Sequence, residues 1–179
     1  MSEFSCNYHL KTENIEDCIN LIKRANVTGF VFPPRDGWTS FVVNEPDFIF
    51  SKKLIDANDG ILIQLISVED YGWSFEIYDK DIKLCMFACM YDTDEVFSHQ
   101  KNVENWDGLF NQNQSDVLDK VFAMNKNTSP EDCIYATDFA DGMGLYFYEW
   151  ISYSYICEYS PISYREYNEL ELLRVSASD

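Results

Sequence analysis

Between Ile61 and Tyr91 the chain lays down three apolar runs, Ile61 to Val68, Trp73 to Tyr78 and Ile82 to Tyr91, separated by Glu69-Asp70-Tyr71-Gly72 and by Asp79-Lys80-Asp81. Such short links, rich in Asp and Gly, close tight turns and cannot carry a crossover, so neighbouring runs must pair antiparallel. In the second run Trp73, Phe75 and Ile77 alternate with Ser74, Glu76 and Tyr78. One face of this meander is therefore apolar and the other amphipathic.

The segments before the meander extend the same sheet. Phe4 to Leu10 alternates as a strand, and Gly29 to Phe32 and Trp38 to Val43 flank Pro33-Pro34-Arg35-Asp36-Gly37, the turn chemistry of a hairpin. Between them Ile15, Cys18, Ile19 and Ile22 recur at helical spacing, with Glu13, Glu16 and Asp17 in the first turns and Lys23-Arg24 near the end, where the helix dipole favours each sign. Asn44-Glu45-Pro46 opens a weaker helical segment running to about Ala57.

After Asp92 the pattern turns polar and Asn-rich, and Val103, Trp106, Leu109 and Phe110 suggest one short helix in a long connection. Ser115 is expected to cap a helix carrying Leu118, Val121 and Phe122. A second start signal, Ser129-Pro130-Glu131-Asp132, opens a helix that Gly142 can end. Leu145 to Tyr159 is crowded with aromatic rings and fits both periods; its Tyr, Trp, Phe and Ile favour a strand, with Leu145, Phe147, Ile151 and Ile156 joining the core. Residues 175–179 are expected to fray. These elements predict a single α+β domain over residues 1–179: a mainly antiparallel sheet of N-terminal strands plus meander, helices packed on one face, and a helical C-terminal half.

Thirteen Lys plus Arg against thirty-one Asp plus Glu leave a net charge of −18. That field repels a phosphate polymer, and the densest basic pairs are only Lys23-Arg24 and Lys52-Lys53, so nucleic-acid binding is not expected. No apolar run reaches the length of a membrane span, and the N-terminus has no basic leader before an apolar stretch. A cytoplasmic protein is expected, with its six cysteines (Cys6, Cys18, Cys85, Cys89, Cys133, Cys157) reduced and mostly buried.

Motifs of catalysis are missing. The two histidines, His9 and His99, stand in no metal spacing; His9 falls in a strand as a core or hydrogen-bonding residue, and His99 in a polar loop as a solvated one. There is no GxSxG elbow, Walker loop or GxGxxG fingerprint. Cys85 and Cys89 share a strand face about 13 Å apart, too far for one ion. Tyr91-Asp92-Thr93-Asp94-Glu95 has half the acids of a calcium loop but neither its glycine nor its closing glutamate. No catalytic residue, metal or cofactor is assigned.

The run Phe30 through Gly37-Trp38-Thr39-Ser40-Phe41 to Val43, followed by Ile61 to Val68 and by Asp70-Tyr71-Gly72-Trp73-Ser74-Phe75-Glu76-Ile77-Tyr78-Asp79, resembles a set of uncharacterised bacterial proteins. In these a Gly-Trp strand precedes a strand patterned with an acid, Trp and Tyr-Asp, and a Tyr-rich stretch follows near the C-terminus. The resemblance covers about half the chain; it implies a small bacterial α+β domain and carries no site. Composition also looks like that of immunity proteins in bacterial toxin systems, where acids steer a basic partner and rigid aromatics anchor it. The expected function is an acidic inhibitor or immunity-type protein binding a basic protein, with Asp92, Asp94, Glu95, Trp106, Tyr148 and Trp150 as partner contacts. Two alternatives stand beside it: an enzyme or ligand-binding domain whose carboxylates and aromatics converge in the fold, and a structural accessory subunit.

Overall fold

The computed structural model describes residues 4–91, 96–149, 151–158 and 172–177. Among these residues eight strands form one sheet in the order β7-β6-β5-β4-β1-β3-β2-β8, and every pairing is antiparallel. In chain order these are β1 (Phe4–Leu10), β2 (Gly29–Val31), β3 (Thr39–Val43), β4 (Ile61–Val68), β5 (Gly72–Asp79), β6 (Ile82–Met90), β7 (Val96–Lys101) and β8 (Leu173–Val175). The α+β antiparallel fold read from the meander is the fold observed.

Local chemistry explains the turns. Arg35 and Trp38 exchange both backbone hydrogen bonds across the β2–β3 connection, while Asp36 (φ 49°) and Gly37 (φ 85°) both sit left-handed. Two consecutive left-handed residues match the twist of the flanking strands, which is why Asp-Gly works there.

Among the described residues five helices pack on this sheet: α1 (Ile15–Arg24), α2 (Lys52–Ala57), α3 (Gln112–Ala123), α4 (Ala136–Met143) and α5 (Tyr153–Glu158). They divide between the two sheet faces, where the sequence suggested one. Because strand side chains alternate, Tyr8, Leu10 and Leu62 point to one face and pack with Cys18, Leu21 and Ile22 of α1 and Leu54 of α2. Ile63, Leu65, Phe75 and Phe87 point to the other and pack with Leu118 and Val121 of α3 and Phe139 and Met143 of α4. Phe139 stacks on Phe75 with centroids 4.2 Å apart, which fixes α4 to the centre of the meander. Both faces of β4 are apolar over Leu62 to Ile66 except at Gln64, so a single helical layer could not have covered it.

Several expected elements move. Only the last part of 44–57 is helical: Ser51 caps α2, and Phe48 stands at φ 67°, outside any right-handed helix. The connection after β6 contains β7 in place of a short helix; its Ser98 and Gln100 are exposed at the sheet edge, which is why the segment reads as polar. His99 is accordingly an exposed strand residue and not a loop residue, edge-on to Phe122. α3 starts at Asn111, whose side chain accepts from Gln114 N while Gln114 Oε1 accepts from Asn111 N, a reciprocal cap that outcompetes Ser115. Pro130–Asp132 makes a separate 3-10 turn, and α4 then runs through Gly142 to end at left-handed Gly144 (φ 73°). Val175 is not frayed: it pairs with Gly29 and is only 5% exposed.

Candidate functional site

The aromatic stretch that the sequence favoured as a strand is irregular from Leu145 to Glu149 and helical from Tyr153. An irregular segment on a sheet face needs partners for its buried backbone groups, and side chains of β1 and β3 supply them. Asn7 Nδ2 donates to Tyr148 O at 3.0 Å, Ser40 Oγ donates to Tyr146 O at 2.7 Å, and Ser5 Oγ accepts from Ile151 N at 3.3 Å. His9 lies between them, 2.8 Å from Ser40 Oγ through Nδ1 and 2.8 Å from Asn7 Oδ1 through Nε2. Leu145 and Ile151 enter the core and Phe147 stacks on Phe32, as expected of the apolar members of the stretch.

The Ser-His-Asn grouping has the composition of a nucleophilic triad but not its access. Asn7 and His9 are 0% exposed, Ser40 is 2% exposed, and the Ser40 hydroxyl already serves a carbonyl. Burial pushes the His9 imidazole down to about 3 from an ordinary 6.5. A neutral imidazole must then donate from Nε2 to Asn7 Oδ1, since the Asn7 amide nitrogen faces two main-chain carbonyls. This group fastens the 146–151 segment. Burial likewise pushes the thiols of Cys6 and Cys85 up, to about 11 and about 12, which keeps them protonated and unreactive. Cys6, Cys18, Cys85 and Cys89 are buried, Cys133 is half-buried and Cys157 exposed. Among the described residues no group of three or more His, Cys, Asp or Glu is placed to hold a metal ion.

Of the expected partner contacts, two, Trp106 and Tyr148, are among the described residues. Trp106 is 2% exposed; its Nε1 donates to Asp119 Oδ1 at 2.9 Å, Lys101 Nζ lies 4.6 Å over its ring, and Phe110 and Phe122 pack around it. Its ring is spent in the core. Tyr148 is half-buried beside a cavity of about 150 Å³ that also takes in Phe4, Glu69 and Glu149. Asp92, Asp94, Glu95 and Trp150 lie outside the described residues.

A different surface gathers the acids. Between α3, the connection after it and α4 runs a groove of about 840 Å³. Its floor carries Val117, Met124 and Ile134; its rim carries Asp116, Glu131, Asp132 and Asp138, against one cation, Lys120. Gly142 allows the close approach of α4, since a Cβ there would meet Val117 at 2.8 Å. No aromatic ring lines the groove. Five ion pairs are formed among the described residues, and Lys120 takes part in none of them. With thirteen cations in the chain, at least eighteen carboxylates have no cation to neutralise them. Sequence reading missed the groove because its acids come from two helices and a turn, each unremarkable alone. The one local hint was the spacing Asn113, Asp116, Val117, Lys120, which places these side chains on one face of a helix. No helix among the described residues is long and apolar enough to cross a membrane. Comparison of the chain with protein-family models, with curated proteins and with solved structures gives no match.

Proposed function

We propose that the chain is an acidic protein-binding module, of the inhibitor or immunity type, that takes a basic partner protein at the α3–α4 groove. The observation that carries this reading is the groove itself: a trough rimmed by four exposed carboxylates and one lysine, on a chain of net charge −18. Such a rim accelerates encounter with a cationic surface and selects it over an acidic one. The expected bacterial, cytoplasmic setting belongs to this reading. The groove favours binding over catalysis because its carboxylates ring an open trough rather than converge with aromatic rings on one enclosed point.

The test is affinity capture from the native cell with the wild-type protein and with Asp116→Asn/Glu131→Gln/Asp132→Asn/Asp138→Asn, in low and in high salt. All four side chains are exposed, so the variant is expected to fold. A basic protein enriched by the wild type, released by salt and lost from the variant is the expected result. Retention of no basic protein would refute the reading.

A further inference from the structure

We infer that the open edge of β7 docks the same edge of a second copy of this chain, antiparallel about a two-fold axis at His99, so that two sheets join into one. β7 is the last strand on its side of the sheet, with β6 as its one strand neighbour among the described residues. Directly opposed antiparallel residues alternate between pairs that exchange hydrogen bonds and pairs that do not. Asn102 N donates to Leu84 O at 2.8 Å, one step beyond the register in which Lys101 opposes Cys85 and Gln100 opposes Met86. Gln100 and Ser98 are therefore the residues of β7 that exchange bonds with β6. Phe97, His99 and Lys101 point their N–H and C=O groups away from β6 into the open edge, where no described group pairs with them.

Edges of this kind invite strand addition, and proteins blunt them with a proline, a bulge or an outward charge. β7 lacks all three. Its six pairs with β6 run in unbroken register, and Val96-Phe97-Ser98-His99-Gln100-Lys101 holds no proline. Its one lysine turns inward: Lys101 Nζ lies 4.6 Å over the Trp106 ring and 3.4 Å from Asp119 Oδ1. Ser98, His99 and Gln100 are exposed.

Register and charge select the occupant. Centred on His99, an antiparallel second copy sets Phe97 against Lys101, His99 against His99 and Lys101 against Phe97, and each pair exchanges both of its N–H···O bonds. Every outward group of the three residues is then matched within the strand itself. The chain has thirty-one acids and none of them lies in 96–101. A basic segment would find no carboxylate on β7, whereas two β7 strands meet without acid facing acid. The net charge of −18 on each copy still repels at long range, so association tightens as salt screens it. That response is opposite to the salt release expected of a basic partner at the α3–α4 groove.

Sedimentation of the full chain over a concentration series, in low and in high salt, reads the self-association, and a dimer that strengthens with salt is expected. His99→Pro removes an outward N–H and no bond to β6, which an edge strand tolerates. It should weaken the dimer at least about tenfold and leave the urea midpoint near that of the wild type. Ser98→Pro, whose N–H is spent on β6, should lower the midpoint instead. Cross-linking reads the register. In a Cys157→Ser background, His99→Cys should give a disulfide-linked dimer on mild oxidation, and Gln100→Cys, which faces Ser98 of the second copy, should not. A chain that is monomeric at every concentration in both salts overturns the inference, as does a dimer that His99→Pro leaves unchanged. If His99→Pro unfolds, the cross-link decides: no dimer from His99→Cys, or an equal yield from Gln100→Cys, overturns it as well. Capture of a basic protein enters none of these readouts, so their failure leaves the reading of the groove standing.

Discussion

His9 offers a sharp test, because burial and hydrogen-bond counting pull its protonation in opposite directions. The imidazole is 0% exposed, its contacts are the uncharged Asn7 and Ser40, and burial pushes its pKa down to about 3 from 6.5. Between those values the unfolded chain binds the proton and the folded chain does not. Stability from this group is thus complete above about pH 6.5 and is lost as pH falls towards about 3. The limiting slope is about 1.4 kcal/mol per pH unit, and the integrated loss from about pH 7 to about pH 5 is about 2 kcal/mol. The opposing argument concerns Ser40: its single proton is within reach of both Tyr146 O (2.7 Å) and His9 Nδ1 (2.8 Å), and an imidazolium would satisfy both contacts. Desolvation of a fully buried cation with no carboxylate beside it outweighs one shared hydrogen bond. Urea unfolding of the wild type and of His9→Gln across this range isolates the group, since the surface carboxylates titrate in both. The stability advantage of wild type over variant should shrink by about 2 kcal/mol on acidification. An advantage that stays constant or grows would show that His9 is not held neutral, and ¹⁵N shifts of the imidazole would report the Nε2–H tautomer directly.

Two further predictions concern packing. Trp38 Nε1 donates to Met143 O at 3.0 Å, whereas the buried Trp73 Nε1 finds no partner among the described residues. Trp38→Phe should therefore cost about 1–2 kcal/mol more than Trp73→Phe in chemical denaturation, and equal costs would refute the difference. At Gly72, φ is +135° and a Cβ would lie 2.1 Å from Cys89 O, while at Gly37, φ +85°, nothing stands within 4 Å. Gly72→Ala should cost about 3 kcal/mol and Gly37→Ala about 1 kcal/mol, measured as shifts in the unfolding midpoint; similar losses would mean that the β5–β6 approach is looser than described.

Much of the fold was legible because its causes are local. The alternation of Trp73, Phe75 and Ile77, the Asp36-Gly37 turn and the acidic start and basic end of α1 each act within a few residues, and β1, α1, β2 through β6 appear close to where they were read. β7 was not legible: an edge strand keeps only one neighbour, so Ser98 and Gln100 can stay polar and imitate a loop. Residues 145–149 were not legible either, since a strand-like composition there meets no strand to pair with and is held by side chains instead. Among the expected contacts, Trp106 looked available by residue type and was claimed by the core.

The sequence by itself determined the antiparallel meander, the acidic surface and the absence of familiar catalytic motifs, all of which follow from periodicity, turn chemistry and charge. Only the tertiary structure decided which polar residues are buried and which acids meet. Ser5, Asn7 and His9 have the alternation of a solvent-facing strand edge, yet they are covered because the backbone near residue 148, some 140 positions away, needs their hydrogen bonds. Asp116 and Asp138 face one groove because both α3 and α4 must bury an apolar stripe on the same sheet face. Periodicity records what each element must bury; what its remaining face then confronts depends on neighbours that no local pattern specifies.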